Sequence, residues 1–336
     1  MIIKSIDLFA GVGGLRLGLE KALKKLGLGH ECVLYSEINK HCQKTYEKNF
    51  STTKLIEDIK NVSKIKFDIP DHDILLAGFP CQPFSQAGVS VRKSLNRKHG
   101  FSDKKQGDLF FNILEVLNTK KPKMFLLENV QNLLSHNNGR TINKIVTLLR
   151  KNYFVPEPKV LDARDFGLAQ RRRRVFIVGF LDKSINNFNY PIPIKRDLKV
   201  KDFLDVKVDS SFTISDKLWK GHLKRKKRNK TNGKGFGFKL TYPSDKSTNT
   251  ISSRYYKDGG ECLIYQGLNL NPRKLTPREC FNFQGFPKSF KLPTDVADGQ
   301  LYKQAGNAVT VPLMKLIGSK IKIALESKYS SSLTKV

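Results

Sequence analysis

The sequence predicts an α/β fold: a Rossmann-like domain of alternating strands and helices, with a second, smaller, mainly β and irregular unit. Three observations predict it. Ile2 to Phe9 is an apolar run that ends in a glycine-rich turn and passes into a helical pattern. Short apolar runs and helical patterns then alternate as far as Phe180, as a βαβ sheet requires. Beyond Phe180, up to about Leu270, Lys, Asn, Ser, Pro and Gly dominate and the periodicity weakens.

Each element has its own signal. Leu15, Leu19, Leu23 and Leu26 mark one face of the first helix, and Gly27 stops it. Further strands are expected at Cys32–Ser36, Asp73–Ala77, Met124–Leu127 and Arg174–Phe180. Helices are expected at Asp108–Leu117, closed by Pro122, and at Thr141–Lys151. Pro312 opens a last helix carrying Leu313, Leu316, Ile317, Ile321 and Ala324, ahead of a frayed tail from Ser330 to Val336. The expected division is a catalytic domain over 1–182, completed by 303–336, around a recognition unit over 183–302.

A chain of 336 residues is long enough for a substantial core. Its charge is unusual: 61 Lys and Arg stand against 30 Asp and Glu, a formal net charge of +31. Such an excess repels itself unless a polyanion shares the surface, which points to nucleic acid; the alternative is a set of solvated lysine-rich faces. Lys217 to Lys239 concentrates ten of these cations with no acid, interleaved with Trp219, Phe236 and Phe238, and Gly233, Gly235 and Gly237 let backbone approach a ligand closely. It reads as a phosphate-tracking segment rather than a mobile solvated loop. The apolar runs are too short for a membrane span. The five cysteines are scattered without metal-ligand spacing, so free thiols in a reducing cytosol are expected and no metal.

Four constellations carry chemistry. Asp7-Leu-Phe9-Ala-Gly11-Val12-Gly13-Gly14 lets backbone approach a nucleotide-like ligand at a helix N-terminus, with a spacing unlike that of dinucleotide binders. Glu37, ending the second strand, can accept ribose hydroxyls, and Asp58 can meet an adenine amino group. Gly78-Phe-Pro80-Cys81-Gln82-Pro83-Phe-Ser85 sets a thiol between two prolines at a strand end, although a lone cysteine is as often a small buried hydrophobe. Glu128-Asn129-Val130 ends another strand, where burial can raise a carboxyl pKa. Gln170-Arg171-Arg172-Arg173-Arg174 enters the last strand, on which Arg172 and Arg174 share a face.

In this order the four elements resemble the C5-cytosine DNA methyltransferase family, over nearly the whole chain. The resemblance continues in Gly107-Asp-Leu109-Phe110, in Leu275 to Pro287 and in Gln304 to Pro312. It implies S-adenosylmethionine as cofactor, held by Phe9, Gly11, Val12, Gly13, Gly14, Glu37, Ile38, Asp58, Ile59, Pro80, Leu109, Asn307, Ala308 and Val309. It implies Cys81 as nucleophile, Glu128 as the acid at the cytosine ring, and Arg172 and Arg174 around the base and thiolate. Contacts to double-stranded DNA are expected from Gln82, Ser85, Arg92, Thr250, Arg254 and Tyr255, with Gln86–Gln106 as a closing loop. Arg254 can read a guanine edge or hold a phosphate. The sequence departs from the family pattern at Gln106 and Asn282, where arginine is usual, which implies altered loop and domain contacts.

Carbon 5 of cytosine becomes nucleophilic once a thiolate has added at carbon 6, which is why the family needs a cysteine and an acid together. The target base must also leave the helix to reach Cys81. Rival readings are a transfer-RNA cytosine-5 methyltransferase, a non-catalytic DNA-binding regulator and a small-molecule methyltransferase; the last leaves the charge unexplained. The few residues ahead of the first strand suggest a stand-alone bacterial or phage modification enzyme, monomeric and cytoplasmic, with a restriction endonuclease as functional partner.

Overall fold

The computed structural model describes residues 2–50, 53–61, 68–80, 108–185, 187–194, 196–233 and 235–320. Seven strands form one sheet: β1 Ile2–Leu8, β2 Gly29–Ser36, β3 Lys54–Ile56, β4 Ile74–Gly78, β5 Met124–Val130, β6 Lys159–Asp162 and β7 Arg173–Phe180. Their order is β3-β2-β1-β4-β5-β7-β6. β3, β2, β1, β4 and β5 pair in parallel, whereas β7 runs antiparallel between β5 and β6. From β1 the chain moves outward to β2 and β3, then returns to β4 on the other side of β1. The carboxyl ends of β1 and β4 therefore flank the point where strand order reverses, the crevice in which open α/β sheets bind ligands.

Helix α1 (Gly14–Lys25) buries Leu15, Leu19 and Leu23, as its spacing predicts, and Gly27 beyond it turns with φ +70°. A helix without a strong apolar stripe, α2 (Lys40–Glu47), starts because the Asn39 side chain accepts the backbone N–H groups of His41 and Cys42. α3 spans Asp108–Lys120 and α4 spans Arg140–Arg150. The sheet is apolar on both faces because alternate residues point opposite ways. Leu75 and Ala77 of β4 join Phe125 and Leu127 under α3 and α4, while Ile74 and Leu76 join Met124 and Leu126 under α1 and the last helix. That helix occupies residues 311–320, its Leu313 and Ile317 buried; Ile321, Ala324 and the tail lie outside the described residues.

Downstream of the sheet, among the described residues, strand pairing beyond isolated bridges is limited to β8 (Leu240–Thr241) with β9 (Leu263–Ile264). The basic run takes regular structure over most of its length. Most of it is a 16-residue helix, α5 (Asp216–Thr231), capped by Ser215, whose side chain accepts the Leu218 N–H. α6 (Pro277–Phe283) opens with a reciprocal capping box between Thr276 and Glu279, and α7 spans Asp298–Asn307. A third apolar cluster joins Tyr35, Tyr46 and Phe50 beside the sheet to Ile251, Tyr255 and Phe281. The two units therefore share a core rather than hang on a linker.

Candidate active site

At the carboxyl end of β1 the turn takes conformations that favour glycine: φ is +55° at Gly11 and +81° at Gly13, and Phe9 also sits at +54°. Close packing adds a second demand. A Cβ on Gly13 would lie 2.3 Å from the Phe50 ring, and one on Gly14 2.6 Å from the Val309 carbonyl oxygen. The Asn307–Val309 turn is thus pressed onto the start of α1, with Asn307 exposed and Ala308 and Val309 buried. Glu37 accepts the Gly11 N–H at 2.8 Å and the Asn39 N–H at 2.7 Å. Burial nevertheless pushes its carboxyl up, against those bonds.

Beside this carboxylate, Ile38 is 68% exposed, an apolar side chain with nothing over it. Asp58 caps the next turn by accepting the Lys60 N–H at 3.0 Å. A hydroxyl acceptor, an uncovered apolar surface and a glycine turn fit a ligand with a ribose and a planar base. Val12, Ile59 and Leu109 are buried in the core, so Ile59 has its main chain rather than its side chain to offer a ligand.

The β4–β5 register sets Gly78 opposite Glu128. A Cβ at Gly78 would stand 3.8 Å from Glu128 Oε2, and Asn129 Nδ2 donates to the Phe79 carbonyl at 3.2 Å. Asn129 thus fastens one strand end to the other just before Pro80, the last described residue ahead of Cys81. Cys81, Gln82, Ser85, Arg92 and the Gln86–Gln106 loop, with Gln106 itself, lie outside the described residues. Glu128 is buried, and Arg174 Nε lies 3.0 Å from its Oε1. Burial raises the Glu128 pKa, with Arg174 and then Arg172 acting to lower it. A carboxyl so placed holds its proton at a higher pH than an exposed one and can act as an acid.

Arg172 does something different from Arg174. It is fully buried, and its guanidinium donates to the carbonyls of Ile251 at 3.2 Å, Gly306 at 3.0 Å and Ala308 at 2.7 Å. It ties the Ile251 segment to the Asn307–Val309 turn against the start of α1. Gln170 adds to this seam: its side chain donates to the Phe283 carbonyl and accepts the Ile251 N–H, both at 2.9 Å. Thr250 donates its hydroxyl to the Arg171 carbonyl. Asn282 donates to the Phe203 carbonyl, a contact within the recognition unit. Asn129 and Gln170 were visible in their motifs, but only the register gives them work.

Tyr255 requires a correction. Expected at DNA, it is fully buried, its hydroxyl donating to the Cys262 carbonyl at 2.6 Å and accepting the Leu275 N–H at 2.8 Å. It holds the 252–262 loop from inside. Arg254, one residue earlier, is exposed. It lines a cavity of about 430 Å³ with Asn39, Lys257, Lys303, Gln304 and Asn307. Among the described residues no group of three or more His, Cys, Asp or Glu could hold a metal ion, and no helix is long and apolar enough to cross a membrane.

The arrangement agrees with known proteins. A family model described as C-5 cytosine-specific DNA methylase matches residues 3–323. The chain is 47% identical over 322 residues to the Type II methyltransferase M.DsaV of Dactylococcopsis salina, covering 95% of this chain and 86% of that protein. It is also 47% identical over 326 residues to the Type II methyltransferase M.NlaX of Neisseria lactamica, covering 97% and 98%. The solved structure of the Entamoeba histolytica methyltransferase EhMeth superposes with a TM-score of 0.75 at 21% identity, over 98% of this chain and 99% of that one, a likeness of fold. With this sheet order, a buried Glu128 beside the strand end that leads to Cys81, and a family match over almost its entire length, the chain belongs to the C-5 cytosine-specific DNA methylases, the DNA (cytosine-5-)-methyltransferases.

Proposed function

We propose that this enzyme methylates carbon 5 of a cytosine within a specific short sequence of duplex DNA. Cys81 acts as a transient covalent nucleophile, and the enzyme serves as the modification partner of a restriction endonuclease. The observation that carries the mechanism is the pairing of Gly78 with Glu128, which sets an acid with a raised pKa next to the strand end from which Cys81 follows. The Type II methyltransferases of D. salina and N. lactamica support the modification role. The 1–182 and 303–336 segments form the catalytic domain in this reading, and 183–302 selects the target.

Residues of this chain do the following. The Gly11–Gly14 turn, Glu37, Ile38, Asp58 and the Asn307–Val309 turn hold S-adenosylmethionine, and Leu109 backs the pocket. When bound, it supplies the methyl group in a sulfonium-activated form. The Cys81 thiolate forms a bond to carbon 6, and the ring π electrons move toward N3, where Glu128 donates a proton and offsets the developing charge. Carbon 5 of the resulting enamine takes up the methyl group. Loss of the carbon 5 proton to a base, cleavage of the sulfur–carbon 6 bond and return of the N3 proton to Glu128 then restore the aromatic ring and the thiolate. Arg174, paired with Glu128, orients that carboxyl, and Arg172 fixes the wall behind it.

Base-resolution mapping of 5-methylcytosine in DNA from a host expressing the protein tests this reading. One short sequence modified by the wild type, and none by Cys81→Ala, is expected, with DNA binding retained in the variant. Methylation of transfer RNA but not of duplex DNA would overturn it.

A further inference from the structure

Helix α5 has two faces of opposite character. On one, His222 is buried and its Nε2 meets the Asp258 carbonyl at 3.1 Å; Arg225 donates to the Asp258 carboxylate at 2.8 Å and to the Gly237 carbonyl at 3.1 Å. Trp219 packs edge-on against Phe238 with ring centroids 5.0 Å apart. A Cβ at Gly237 would come within 2.7 Å of the Lys226 Cα, so the 235–238 strap lies directly against the helix. These anchors seat α5 on the Arg254–Gly260 loop, whose exposed Arg254 lines the cavity beside the cofactor crevice.

The other face carries Lys217, Lys220, Lys224 and Lys227, spaced three or four residues apart, with Arg228 next to the last of them, all exposed. At 3.6 residues per turn they form one stripe, about 16 Å long. Like charges at this spacing repel and destabilise an isolated helix. No acid within α5 relieves them except Asp216 at its start. A helix that accumulates repulsion on one face, while the opposite face is fixed by specific hydrogen bonds, is suited to a partner that brings a row of negative charges.

We infer that α5 lies along the sugar–phosphate backbone of the DNA duplex. Its lysine stripe neutralises successive phosphates, and the His222–Arg225–Asp258 contacts carry that grip to the recognition loop. This rests on the DNA reading above and adds a division of labour: α5 supplies sequence-independent affinity, and the loop bearing Arg254 supplies selection.

The test compares the wild type with K217Q/K220Q/K224Q/K227Q and with a control of equal charge, K24Q/K25Q/K151Q/K159Q. The control residues are exposed and lie outside α5: Lys24 and Lys25 end α1, Lys151 follows α4 and Lys159 opens β6. KM for duplex DNA is measured from 50 to 200 mM salt. The stripe variant is expected to lose about 3 to 4 from the slope of log affinity against log salt, at roughly 0.9 per phosphate contact. Its KM should rise at least about tenfold at the lower salt. Its kcat should stay within about twofold, its methylated sequence should not change, and its thermal midpoint without DNA should be equal or higher, since repulsion is relieved. The control should keep the wild-type slope. A wild-type slope in the stripe variant, an equal loss in the control, or a changed target sequence overturns the inference. Wild-type protein that methylates no duplex DNA removes the reading beneath it as well.

Discussion

Gly306 is the position at which the least chemistry should do the most damage. It lies in the last turn of α7, and a Cβ there would lie 2.3 Å from both the Ser252 carbonyl carbon and the Ser253 nitrogen. Both are main-chain atoms, so no side chain can swing aside. Ordinary carbon contacts begin near 3.5 Å, so Gly306→Ala must open this junction by about 1 Å. α7 cannot easily retreat, because the Gly306 and Ala308 carbonyls hold Arg172. The recognition loop must move instead, and with it Ile251, the third carbonyl on the same guanidinium. Overpacking of this kind costs roughly 1–3 kcal/mol. A 1 Å displacement of substrate-positioning elements can lower a rate by about 10²-fold. Thermal unfolding should show the loss of stability, and methyl transfer to cognate duplex should fall far more than S-adenosylmethionine binding. Wild-type stability with a wild-type rate in Gly306→Ala would refute the claim that this contact couples target selection to the reaction centre.

Further predictions concern single buried charges. Glu279 is fully buried and takes both arms of Arg273 at 2.8 Å, besides the N–H groups of Asp205 and Thr276; Glu279→Gln leaves that guanidinium buried without its counter-charge and should cost roughly 3–5 kcal/mol in urea unfolding. A loss below about 1 kcal/mol would show the pair to be dispensable. Asp7 is fully buried and burial holds its pKa well above the carboxylate range, partly opposed by Arg16, so the folded state binds this proton more tightly than the unfolded state. The wild type should therefore lose stability relative to Asp7→Asn as pH rises from about 4 through that raised pKa, by about 1.4 kcal/mol per unit of elevation; a gain over the same range would reverse the sign. For Glu128, the raised pKa keeps the acid form to higher pH, so kcat/KM should fall only as pH rises above the ordinary carboxylate range. Arg174→Gln removes the main lowering influence and should move that limb further alkaline, while Glu128→Gln should abolish it and cost roughly 10²–10⁴ in rate. An acid-ward move in Arg174→Gln would contradict the assignment.

The sheet was legible in the sequence because its central strands are buried on both faces and read as unbroken apolar runs, such as Ile74–Ala77 and Met124–Leu127. The Gly11–Gly14 turn was legible because positive φ and close packing demand glycine at fixed places. α5 was not. Its buried face is made by His222, Trp219 and the anchored Arg225, with no aliphatic stripe, so tertiary hydrogen bonds and the Ser215 cap decide its state. β6 is four residues long, too short for periodicity to register. Tyr255 was misread because neighbouring loop residues point opposite ways: Arg254 faces solvent and Tyr255 the core. Arg172 and Arg174 were expected to point together, yet one meets three carbonyls and the other Glu128, a distinction that only the packed neighbours supply.

The most direct measurement uses a cognate duplex whose target cytosine carries fluorine at carbon 5, incubated with enzyme and S-adenosylmethionine. Fluorine cannot depart as the proton does, so the account predicts a stable protein–DNA adduct. Digestion should locate the link at Cys81, and Cys81→Ala should form none. Methylation of the normal duplex without any adduct on the fluorinated one, or an adduct through another residue, would contradict it.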